Sequence, residues 1–65
     1  MDRILQTHRF GPHRVDLLER ADDDGATAYC VLVDDVVVTD PPLESIPAPE
    51  DIGRIYARSQ QAASR

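Results

Sequence analysis

Between Tyr29 and Pro42 the chain reads YCVLVDDVVVTDPP, apolar at nearly every position except for one aspartate pair and a proline stop. Few folds accept such a run. It is too short and too interrupted for a membrane span of ~20 apolar residues. Its valines disfavour a helix and favour a pleated strand. Asp34-Asp35 has the length of a two-residue hairpin turn. Pro41 and Pro42 cannot donate to a ladder and end the second arm. The run therefore predicts two strands, over 27–33 and 36–40, with apolar residues on both faces.

Two upstream punctuation marks extend the pattern. FGPH at 10–13 and DDDGA at 22–26 carry glycine, proline and aspartate, the residues that turns require. Alternating segments around them predict strands over 3–10 and 13–20. After the prolines the period changes. PEDIGRIYARSQQAASR spaces Ile52, Ile55, Tyr56, Ser59 and Ala63 along one helical face. Pro49 suits the first helical turn, Glu50 and Asp51 its positive end, and Glu50 is placed to pair with Arg54. Gly53 implies either close packing or a weakened helix, and the last residues, QQAASR, are expected to fray.

The predicted fold is α+β: a four-stranded antiparallel meander followed by one C-terminal helix packed on one face (ββββα). It is read as one small domain over 1–65, with meander 3–40, proline-rich connector 41–48 and helix 49–62. Leu43 and Ile46 are expected to anchor the connector to the core edge. Neighbouring strands pair in sequence order by default.

A register follows from the turns. If the first two strands fold about Gly11-Pro12, Ile4, Phe10, Val15 and Leu17 share a face with Gln6, His8 and Glu19. The next turns add Tyr29, Val31, Val33, Val36 and Val38. This face is the expected core, covered by the helix. The other face collects Leu5, Leu18, Cys30, Leu32 and Val37, with Arg3, Arg9, Arg14 and Arg20 around them. Arg9 opposes Arg14 and Arg3 opposes Arg20, two like-charge pairs that a ladder tolerates poorly. One helix cannot cover both faces, and an uncovered apolar strip marks association. A chain of 65 residues buries only about 60% of its unfolded surface, so it gains from a partner.

Charge narrows the partners. Residues 21–53 carry nine acids and no base, and the net charge is −5, with arginine supplying every strong base. Such a chain is repelled by nucleic-acid backbones and anionic lipid. A lone cysteine permits no intrachain disulfide and favours the cytoplasm, and the N-terminal ten residues lack an apolar signal core.

Site chemistry is sparse. His8 and His13 flank a turn on the core side without a third metal ligand, and zinc sites need at least three from the protein. DDDG lacks the alternating acids of a calcium loop. Cys30 sits mid-strand without a base at a recognisable spacing, and no phosphate loop or nucleophile elbow is present. No cofactor is expected, and no catalysis. The expected role is a non-catalytic interaction, accessory or regulatory module. It would contact a second copy or a larger protein through Leu5, Leu18, Cys30, Leu32 and Val37, with arginines steering. The alternative is an anion- or nucleic-acid-binding regulator using Arg3, Arg9, Arg14 and Arg20. A third reading is an enzyme whose site forms only at a dimer interface, in a polar cleft containing His8 or His13.

Overall fold

A computed structural model describes residues 2–63 of the chain, and the backbone alone at Ala63. Strands β1 (Asp2–Phe10), β2 (His13–Ala21), β3 (Thr27–Val33) and β4 (Val36–Val37) form one antiparallel sheet in the order β1-β2-β3-β4. Helix α1 (Pro49–Ala63) follows. The ββββα meander expected from the strand and helix periods is the observed fold. The reading of Ser64 and Arg65 as part of a frayed end lies outside the described residues.

Each turn has a local cause. Gly11 adopts a φ of 62° ahead of Pro12, whose ring holds φ near −65°, so two residues reverse the chain between Phe10 and His13. Asp22 organises the next loop. Its Oδ1 accepts from the backbone N–H groups of Asp24 and Ala26 at 3.0 and 2.9 Å, so the acidic loop is an Asx turn. Asp34 and Asp35 both take positive φ, 51° and 70°, the left-handed twist that a two-residue hairpin demands. The Asp34 carboxylate helps hold that turn, accepting from the Arg14 backbone N–H at 3.0 Å.

The expected register holds from Gln6 to Phe10 and fails before it. Leu5 is an extra residue between the Ile4–Leu18 and Gln6–Leu17 pairs, a β-bulge. Upstream of it the faces exchange. Leu5 packs against the core, and Ile4, expected there, is 57% exposed. Arg3 consequently faces Glu19 and Asp2 faces Arg20, in place of the expected Arg3–Arg20 opposition. The bulge thus replaces one like-charge pair by two ion pairs, Arg3–Glu19 at 3.2 Å and Arg20–Asp2 at 3.4 Å. Each opposite-charge cross-strand pair contributes about 0.2–1 kcal/mol.

The core comprises Val15, Leu17, Val31, Val33 and Ile52, with Leu5, Phe10, Tyr29, Val38, Leu43, Ile55 and Tyr56 packed around them. Val36, expected in the core, is exposed at the β3–β4 turn, and Ile46, expected as an anchor, also faces water. Tyr56 stacks on Phe10 with ring centroids 4.7 Å apart and planes 15° from parallel, fastening the helix to the end of β1.

The helix starts through a reciprocal cap. The Asp51 N–H donates to the Ala48 carbonyl, and the Asp51 carboxylate reaches back to the Ala48 N–H. Arg54 pairs with Asp51, at 3.7 Å, and not with Glu50 as the spacing had suggested. Gly53 makes no close approach: a β-carbon there would meet nothing within 4 Å.

β4 is shorter than the expected 36–40, because the chain leaves the ladder after Val37 while staying beside β3. The Val38 N–H donates to the Val31 carbonyl, and the Val31 N–H donates to the buried Thr39 hydroxyl at 3.2 Å. A side chain substitutes here for a backbone acceptor. Asp40, cis-linked to Pro41, and Pro42 bow outward, and Leu43 resumes pairing with Tyr29 through two backbone bonds of 2.7 and 2.8 Å.

Candidate interaction face and helix-side groove

With α1 on the core side, the opposite face of the sheet is open. The observed register arrays it in rows across the strands. Ile4, Leu18 and Cys30 form one row, and Thr7, Asp16, Leu32 and Val37 form the next. Ile4 and Val37 are 57% and 48% exposed, and Leu18 and Leu32 are half-buried. Cys30 has the expected direction but is 2% exposed, so it forms floor beneath the surface and not contact area. Leu5, expected here, faces the core instead, because the bulge exchanges it with Ile4. The apolar strip therefore consists of Ile4, Leu18, Leu32 and Val37.

Ile4 is the residue that strict alternation misses. A signal for it exists in the sequence. Unbulged pairing opposes Arg3 to Arg20, whereas a one-residue shift matches both arginines to Glu19 and Asp2.

One end of the face is charged in a directional way. Arg9 on β1 opposes Arg14 on β2, and next to Arg14 lie Asp34 and Asp35 of the β3–β4 turn. Arg14 turns away from Arg9, bonding Asp16 through Nε at 3.1 Å and contacting Asp35 through its terminal nitrogen. Asp16 is 4% exposed and also accepts from the Thr7 hydroxyl at 2.8 Å, so this buried carboxylate is fully engaged. Of the four arginines proposed for anion binding, Arg3, Arg14 and Arg20 hold carboxylates, and Arg9 holds none among the described residues. From β1 to the turn after β3, the charge thus runs from positive to negative.

The two histidines stand apart. His8 bonds the Gln6 side chain at 2.9 Å. His13 bonds Asp34 through Nδ1 at 2.6 Å, with its ring 5.8 Å from that of Tyr56. The hydrogen bond from His13, followed by that from the Arg14 backbone, holds the Asp34 carboxyl below the usual aspartate value. No group of three or more metal-ligating side chains occurs among the described residues.

On the helix side, a groove of about 410 Å³ opens between α1 and the bowed segment. Val38, Leu43 and Ile55 make its apolar part, while Asp40 and Arg58 are on its walls. Neither histidine lines it.

No helix among the described residues is long and apolar enough to cross a membrane. The chain matches no known family profile, no curated protein and no solved structure.

Proposed function

We propose that the chain is a small non-catalytic interaction module, working in the cytoplasm, that pairs with a second copy of itself through the open sheet face. The observation that carries this reading is the strip Ile4, Leu18, Leu32 and Val37, which crosses all four strands on the side away from α1. The charge gradient favours a second copy as the occupant. A two-fold axis parallel to the strands lays β1 of one copy over the β3–β4 end of the other, so Arg9 meets the Asp34-Asp35 end. The same rotation stacks the apolar rows upon each other, as aligned sheets pack.

Size sets the strength. Four strands ~4.8 Å apart, over roughly 20 Å of their length, offer on the order of 400 Å² per copy. That is about 800 Å² in all, below the ~1,200–2,000 Å² of stable complexes, which makes the pair transient and micromolar or weaker. The anion-binding reading is less well supported, since intramolecular carboxylates already occupy three of its four arginines. The chain's single cysteine, Cys30, is buried and has no cysteine to pair with inside the chain, which favours a reducing compartment.

Sedimentation equilibrium from micromolar to millimolar chain tests the reading. The mass is expected to climb from 7.2 kDa toward twice that value, and Leu32→Asp to hold it at the monomer. A wild-type monomer throughout, or a Leu32→Asp dimer, overturns the proposal.

A further inference from the structure

Among the described residues, Arg3, Arg14, Arg20 and Arg54 each hold a carboxylate. Arg58, like Arg9, holds none among the described residues, and Asp40, like Asp23, Glu44 and Glu50, has no ion-pair or hydrogen-bond partner among them. Arg58 and Asp40 line the same groove, one from α1 and one from the bowed segment, and they do not pair with each other. Val38, Leu43 and Ile55 line the groove with them, and all three also pack against the core. The Asp40 side is anchored by its neighbour, because Thr39 is pinned under the sheet edge by the Val31 N–H.

We infer that this groove binds a small zwitterion with an aliphatic body, of the free α-amino acid type. The ammonium group goes to Asp40, the carboxylate to Arg58 and the aliphatic side chain to Val38, Leu43 and Ile55. Each half of the charge pattern excludes a simpler ligand. An apolar anion meets Asp40 as a like charge, and an apolar cation meets Arg58 in the same way. A molecule carrying both signs satisfies both groups. The volume lies within the ~300–1,000 Å³ of small-molecule sites, with room for a side chain the size of leucine. The inference does not depend on self-association, because the groove lies on the helix side of the sheet.

The test is a titration of the full chain followed by amide NMR, with three isosteric probes: L-leucine, 4-methylpentanoate without the ammonium, and 3-methylbutylamine without the carboxylate. Leucine is expected to shift the amides of Thr39, Leu43 and Ser59 with a Kd at or below ~1 mM. Each single-charge probe is expected to bind at least ~10-fold more weakly, the loss of one charged contact. Arg58→Gln and Asp40→Asn should each weaken leucine by a similar factor while leaving the melting temperature unchanged. Equal affinity for all three probes overturns the inference, reducing the groove to an apolar surface. Absence of shifts at these amides up to ~20 mM leucine also overturns it, since a site weaker than that has no recognition to explain.

Discussion

His13 and Asp34 meet at 2.6 Å across the two turns that close the same end of the sheet. The bond joins the start of β2 to the tight turn between β3 and β4, and it lowers the Asp34 pKa. A carboxyl whose pKa is lower folded than unfolded stabilises the fold above the ordinary aspartate value of ~3.9. That contribution is lost as the pH falls through the folded value.

Thermal melts between pH 6 and pH 2 should therefore show wild type losing stability faster than Asp34→Asn below about pH 4. Asparagine keeps the tolerance for positive φ and an acceptor for the Arg14 N–H, so the fold itself survives. Parallel pH profiles for the two proteins would show that the bond contributes nothing to acid stability.

The bulge makes two adjacent residues unequal. Leu5→Asp places a charge against the core and should cost about 3 kcal/mol or more, enough to unfold much of so small a chain. Ile4→Asp, on the open face, should cost under ~1 kcal/mol and weaken self-association instead. Circular dichroism melts separate the two. Strict alternation along β1 predicts the reverse ranking, so the experiment decides between the registers.

Gly53 sits in the first half of α1 with open space where a β-carbon would go. Gly53→Ala should raise stability by about 1 kcal/mol, by removing backbone entropy from the unfolded chain. For a domain of this size that is a melting-point increase of ~4–8 °C. A decrease would mean that the helix depends on something other than its own propensity at that position.

The fold was legible because its signals were redundant. Turn residues at Gly11-Pro12, Asp22–Ala26 and Asp34-Asp35 agreed with the alternation between them, and the change of period after Pro42 marked the helix. The face assignments of Val15, Leu17, Val31 and Val33 followed from turn lengths alone. What alternation could not supply was the bulge at Leu5, since both Ile4 and Leu5 are apolar and either register buries one of them. Charge matching of Asp2 and Arg3 to Arg20 and Glu19 held the deciding information. The early end of β4 was hidden for another reason. VVVTD reads as continuous strand, and only the tertiary pairing of Val31 with the Thr39 hydroxyl shows where the ladder departs from the backbone. The groove followed from that departure, and no local pattern around Asp40 or Arg58 announced it.

The sheet's two margins are unequal in their capacity to recruit further strands. On one side β4 is two residues long and gives way to a bowed, proline-bearing segment, a poor template for another chain. On the other, β1 runs for nine residues with its outer side unpaired among the described residues. Fibrillar growth needs a usable margin at each end of every unit, so that addition can repeat. A unit with one such margin can be extended once, by a like margin, and the product then offers nothing to extend. Even if crowding drove these chains together edge to edge, the irregular course from Val38 to Leu43 would end the process at a pair.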